Sequence, residues 1–218
     1  MITFDTARAL AAHLAATRRA VIVDPDDARP WLATLEGAVS LLPGAAPVLT
    51  TVRGLVSGAA ESVAGLAVPS PWGTAILLTP RAMVDPAAYV ATVTHELVHA
   101  SQVVALGAGQ TAADYLHPEL RALREAEAGG VGLWVRYLVT GVRPSPDEAG
   151  VVRSALYHLD ASDRAFGRAV VESILAPIEL GAVPPHSVAR EALAWLHEHA
   201  PDAIAAGAYA DRATAVPQ

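Results

Sequence analysis

The chain has 218 residues, 53% hydrophobic and 17% charged, which is enough to bury a sizeable core and too apolar for a disordered segment. Its net charge of −7, with acids and arginines interspersed, leaves no basic face to compete for phosphate backbones, so nucleic acid is excluded as the main partner. Cys, Lys and Asn are all absent, which removes a thiol nucleophile, a disulfide, a thiolate-held metal, a Schiff-base lysine and a Walker A lysine.

Residues 5–17 repeat Leu10 and Leu14 at helical spacing and form a first helix, with His13 at its surface or rim. Asp5 and Arg8 stand within the first ten residues, so the segment reads as a mature amphipathic helix and not as a signal peptide; the expected compartment is the cytoplasm. Residues 20–23 are a short apolar run closed by Asp24-Pro25-Asp26-Asp27, a buried strand. Residues 28–42 carry Trp31, Leu32, Leu35, Val39 and Leu42 on one stripe, a second helix stopped by Pro43-Gly44. Residues 47–57 fit strand or helix. Residues 62–68 and 73–79 read as two strands joined through Pro69-Ser70-Pro71-Trp72. The longest uncharged run, 62–80, is broken by Pro69, Pro71 and Pro80, which is poor material for a membrane span.

The next segment carries the chemistry. Asp85 is a good N-cap, Pro86 suits the first helical position, and Leu106-Gly107 is a natural stop. Between them Tyr89, Val90, Val93, Leu97, Val98 and Val104 make a buried side. The same helix holds His95-Glu96-Leu97-Val98-His99. Residues four apart share a helix face, so the two imidazoles can bind one metal ion from the same side. Glu96 projects about 100° round the axis from His95, which sets its carboxylate beside the ion, where it can take a proton from a bound water.

Beyond Gly107, a short loop holds Asp114, Tyr115 and His117, and Pro118-Glu119 opens a helix that runs to Thr140 with Gly141 as its stop. Two histidines hold zinc incompletely, because a catalytic site usually has three protein ligands. The residues around Glu125 on its helix face, Ala122, Ala128, Gly129 and Gly132, are all small, as a helix lying close against the motif helix requires. Glu127 has Leu123, Gly130, Val131 and Trp134 around it. Glu125 is therefore the expected third ligand and Glu127 the alternative. Residues 143–146 read as a linker, and 147–160 and 162–175 as two helices. Ser187 caps a last helix that ends near His199. His186, His197 and His199 read as surface histidines.

His95-Glu96-Leu97-Val98-His99 followed by Glu125-Ala126-Glu127-Ala128 resembles the zincin metallopeptidases of the gluzincin kind, over about residues 73–140. In these a glutamate from a second helix, often in an E-x-x-A/S-D/N context, completes the zinc site. Gly129 departs from that context at the position where an acid or amide commonly supports a ligand histidine. Leu97-x-His99-x-x-Gln102 also resembles the HELxHxxQ zincin-like domains found near bacterial toxins. The resemblance implies a zinc-dependent peptidase in which His95, His99 and Glu125 hold Zn2+ and Glu96 is the general base. The substrate would be a peptide or protein, and residues 75–78 read equally as an edge strand that pairs with it or as a plain core strand. A tyrosine or histidine should stabilise the oxyanion; Tyr115, His117, Tyr157 and His158 are candidates, with Tyr157 and His158 preferred on the helix downstream of the glutamate. Asp114 or Asp160 could orient a ligand histidine. A zinc-binding module without peptidase activity is the alternative reading. The fold expected is α+β: a small mixed or antiparallel sheet with the active-site helix over residues 1–141, then an all-helical region, 142–218, packed on it.

Overall fold

A computed structural model describes residues 1–27, 31, 50, 53–54, 63–70, 73–154, 161–180 and 183–206. Helix α1, Phe4–Ala16, starts at Thr3, whose side chain accepts from the Thr6 backbone N–H, and buries Ala7, Leu10, Ala11 and Leu14 along one stripe. His13 is exposed. Strand β1, Ala20–Val23, runs parallel to β3, Gly73–Leu78, and β2, Gly65–Ser70, pairs antiparallel with β3, giving a mixed sheet in the order β1-β3-β2. Gly73 makes the start of β3 possible. At φ 135°, a Cβ there would fall 1.9 Å from the Arg19 carbonyl oxygen, which accepts from the Thr74 N–H at 3.1 Å.

The hairpin expected from the paired apolar runs is present, but one strand assignment changes. β1, expected to be buried, is only partly covered, with Val21 47% exposed, and among the described residues it pairs with β3 alone. Residues 75–78, which the sequence left open between edge and core strand, lie in the centre strand β3, four of whose six residues are apolar and buried. Among the described residues β2 pairs with β3 alone and packs against the motif helix.

Helix α2, Pro86–Leu106, begins where expected: the Asp85 carboxylate accepts from the backbone N–H groups of Ala87 and Ala88, both at 2.8 Å. It packs on β2 and β3 and on α1, and buries Tyr89, Val90, Val93, Leu97 and Val98. Each such side chain contributes about 1.5–3 kcal/mol of transfer free energy. Val104 is 62% exposed; by that turn α2 has passed beyond its neighbours.

Residues 108–117 are not a loop. Ala108–Leu116 form helix α3, which follows directly on Gly107, and the 3.0 Å bonds from the Thr111 N–H and hydroxyl to the Gly107 carbonyl close its first turn. Helix α4, Pro118–Thr140, ends at Gly141 in the left-handed conformation, φ 70°. It packs antiparallel against α2 in the most extensive helix pairing among the described residues. Helix α5 spans Pro146–Ser154, and α6, Ala161–Leu180, continues past the expected end near residue 175. Helix α7, Ser187–His199, packs on α1, α2 and α4. Its cap is His186, whose Nδ1 accepts from the Val188 N–H at 3.2 Å; Ser187, the expected cap, is the first helical residue. The sequence-predicted helix over 28–42 and the ambiguous stretch 47–57 lie outside the described residues, apart from isolated positions. Among the described residues no helix is long and apolar enough to cross a membrane.

Candidate metal centre

The antiparallel packing of α2 on α4 brings residues 91–102 of one helix against residues 124–132 of the other. Gly132 sets how close they come. A Cβ there would stand 2.9 Å from the Ala91 carbonyl oxygen and 3.4 Å from the His95 Cβ, so only glycine fits without moving a helix. One and a half to two turns before Gly132, Glu125 reaches the histidines. Its Oε2 lies 3.5 Å from His95 Nε2 and 3.6 Å from His99 Nε2, and the two ring nitrogens are 3.2 Å apart.

Three donor atoms thus make a nearly equilateral triangle, and this His95-His99-Glu125 group could hold a metal ion. The fit can be checked against coordination chemistry. A tetrahedral ion about 2.0–2.2 Å from imidazole and carboxylate donors keeps those donors about 3.4 Å apart. The observed sides of 3.2, 3.5 and 3.6 Å bracket that value.

The charges agree with the geometry. Burial opposes a charge on His99, yet its contact with Glu125 and the nearby Glu96 and Glu125 carboxylates outweigh it, and its pKa rises from 6.5 to about 9. Burial likewise opposes ionisation of Glu125, but its contacts with His95 and His99 hold its carboxyl well below the usual range. The cluster therefore draws a positive charge into its centre, and in the metal-free chain at neutral pH a proton on His99 supplies it.

Glu96 stands beside the triangle and not in it. It is 6% exposed, with Oε1 4.0 Å from His95 Nε2. Gly65, at the start of β2, passes directly over it: a Cβ at 65 would meet Thr92 Cγ2 at 2.9 Å, Glu96 Cγ at 3.0 Å and Glu96 Oε1 at 3.2 Å. A cleft of about 590 Å³ lies next to this point, lined by Ala64 beside Gly65, by Ala88, Ala91 and Thr92 of α2 and by Arg136 and Thr140 of α4; His95, Glu96, His99 and Glu125 do not line it. These α2 positions lie on the stripe that leads to His95 and His99. Arg136 is held there by Glu148 at 2.6 Å.

A residue quoted in the motif but given no role supports His99. Gln102, three residues on, accepts from His99 Nδ1–H through its Oε1 at 3.0 Å, which places the lone pair of the neutral ring on Nε2, facing Glu125. This is the support that Gly129 cannot give. Its signal was present in the sequence as an amide at i+3 from the second histidine. Glu127, the alternative ligand, does not join the triangle; its Oε2 accepts from Gln102 Nε2 at 2.9 Å.

The other candidates fall elsewhere. Asp114 pairs with Arg124 at 3.2 Å and accepts from Gln110 at 2.8 Å, so it orients no ligand histidine. Hydrogen bonds from Gln110 and Arg124 lower its pKa despite burial. His117 is exposed at the junction of α3 and α4. His197 and His199 are exposed, as expected, and His199 stacks on Trp195 with ring centroids 4.9 Å apart. His186 is not a surface residue: its side chain is 15% exposed and its Nε2 lies 3.7 Å from Glu127 Oε1. Tyr157, His158 and Asp160 lie outside the described residues, as does the side chain of Tyr115. Comparisons of the chain with family models, curated proteins and solved structures find no match.

Proposed function

We propose that this chain is a zinc-dependent metallopeptidase of zincin-like fold and gluzincin kind, with His95, His99 and Glu125 as the zinc ligands and Glu96 as the general base. The single observation that carries the reading is the donor triangle of His95, His99 and Glu125 with a buried carboxylate beside it. A purely structural ion has no use for that fourth group. Two nitrogens and one carboxylate oxygen suit zinc, and three protein ligands leave a position open, as catalytic sites do.

Zinc bound there supplies Lewis acidity, which polarises a carbonyl and makes water a better nucleophile near neutral pH. The chain's own groups do the rest. Glu96 takes a proton from the attacking water at its carboxylate and returns it to the leaving amine nitrogen. Gly65 keeps β2 close over Glu96 and so limits where that carboxylate can swing. Among the described residues β2 has a strand neighbour on one side only, so an extended peptide can add to its other edge and run along the cleft over Ala88 and Thr92. Arg136, held by Glu148, offers a positive charge at the wall of that cleft.

The test combines metal content with hydrolysis. The chain is expected to hold one zinc and to cleave a mixed peptide pool, and Glu96→Gln is expected to lower cleavage by about 10²–10⁴ with zinc retained. Zinc without cleavage in the unaltered chain would replace this reading by that of a zinc-binding module. Absence of metal after purification without chelators, together with no binding of added zinc, would remove both.

A further inference from the structure

A line of polar groups runs from the donor triangle into α7. Four residues from three separate parts of the chain form it: His99 and Gln102 of α2, Glu127 of α4 and His186 at the cap of α7. Its polarity is forced from Glu127 to His99, and the outer step, between Glu127 and His186, is a longer electrostatic contact. A carboxylate offers only acceptors, so Glu127 Oε2 at 2.9 Å compels Gln102 to present its NH2 group there. The amide is planar, so its oxygen must then face His99. That oxygen accepts at 3.0 Å, so His99 Nδ1 carries hydrogen and the lone pair of the neutral ring is on Nε2. At the far end, His186 Nδ1 accepts from the Val188 N–H at 3.2 Å, which leaves Nε2 of the neutral ring as the protonated nitrogen, and Nε2 faces Glu127 Oε1 at 3.7 Å. Gln102 also reaches the Arg124 carbonyl at 3.5 Å, a second acceptor on the same side of its amide.

We infer that Glu127 and His186 are positioning residues for the metal centre: through Gln102 they fix the ring orientation and tautomer of His99. This rests on the proposed zinc site and adds the groups that aim one of its ligands. It also gives the C-terminal helix a part in that site. α7 is pinned in place independently by Arg18, whose guanidinium donates to Ser101 of α2 at 2.9 Å, to Ser187 at 3.4 Å and to Glu191 at 2.8 Å. His186 is thereby held one residue from a buried anchor.

Polarity, unlike size, can be inverted and restored. Glu127→Gln keeps the shape but lets the Gln102 amide turn over, and zinc affinity measured by chelator competition is expected to fall about 10–100-fold. Adding Gln102→Glu restores the two short hydrogen bonds of the line, though not the 3.5 Å one to the Arg124 carbonyl: the new carboxylate accepts from His99 on one oxygen and from the new amide at 127 on the other. The double variant is expected to regain most of the affinity and the visible spectrum of the cobalt-substituted parent. His186→Asn, which can still cap α7, is expected to give a smaller loss than Glu127→Gln. If Glu127→Gln binds zinc as tightly as the parent, or the double variant binds no better than the single one, the inference is overturned while the zinc site stands. If Glu127→Gln folds poorly, the double variant against the parent decides alone. A parent chain that binds neither zinc nor cobalt overturns both the inference and the zinc site.

Discussion

Two polar clusters touch the same helix, and they are built on opposite plans. Near Ser101 of α2, the Arg18 side chain is 6% exposed, and its guanidinium donates to Ser101, Leu14, Thr17, Glu191 and Ser187. That cluster contains its own cation, and each nitrogen has a partner. On the other side, His95, His99 and Glu125 bring three lone pairs to one point and meet a cation only by binding one. The difference separates a polar group that ties elements together from one that is arranged for a ligand. In the first, donors and acceptors balance within the chain. In the second, acceptors converge, and His99 shows the consequence by holding its proton up to about pH 9.

The contrast can be broken most sharply by deleting one member of each cluster. Glu125→Ala should lower zinc affinity by several orders of magnitude while costing the metal-free chain only the stability of its pairing with His99, because its side chain is 43% exposed. Arg18→Ala should do the reverse. It strands buried acceptors on α1 and α2, and a loss of about 2–4 kcal/mol is expected in denaturant unfolding, with the zinc ligands intact. Equal effects of the two substitutions on stability would erase the distinction.

Gly132→Ala should have a smaller effect. The new methyl meets the Ala91 carbonyl at 2.9 Å, so α4 must shift by a few tenths of an ångström and carry Glu125 with it. Zinc affinity should fall about tenfold, a cost comparable with losing a supporting group. The same substitution at Gly150, where a Cβ meets nothing within 4 Å, serves as control.

The mildest test uses pH. His99 is raised in the folded metal-free chain, so its contribution to stability is fully present below its ordinary value of 6.5 and is lost as pH rises through about 9. Glu125 is lowered, so its contribution is present above the ordinary carboxylate value of 4.5 and is lost as pH falls below it. Metal-free stability from this pair should therefore decline between pH 6.5 and 9. Zinc affinity should climb over the same interval, because zinc must displace the His99 proton. Calorimetry in buffers of different ionisation enthalpy would count that proton; a pH-independent affinity from 6.5 to 9 would contradict the pairing.

Much of this arrangement was legible along the chain. Asp85, Pro86 and Gly107 mark the bounds of α2 through local hydrogen bonding and backbone preference, and the spacing of His95 and His99 then follows from 3.6 residues per turn. The run of small residues beside Glu125 pointed to the close helix contact that Gly132 makes. Less legible were features that depend on what lies opposite. Residues 75–78 read equally as an edge or a core strand, and their central place depends on β1, a partner distant in the chain. His186 looked like a surface residue because nothing near it in sequence reveals that α4 covers it. Asp114 looked free to support a histidine, and Arg124 claims it instead.

The sequence by itself determined the elements whose causes are local: a capped helix, two histidines on one of its faces, and a glutamate a third of a turn away. Only the tertiary structure decided between Glu125 and Glu127. Both sit on one helix two residues apart, and their roles diverge because α2 lies antiparallel to α4 at a single register, which brings one carboxylate to the imidazoles and the other to Gln102. That register comes from packing across the whole interface, which no short stretch of residues encodes.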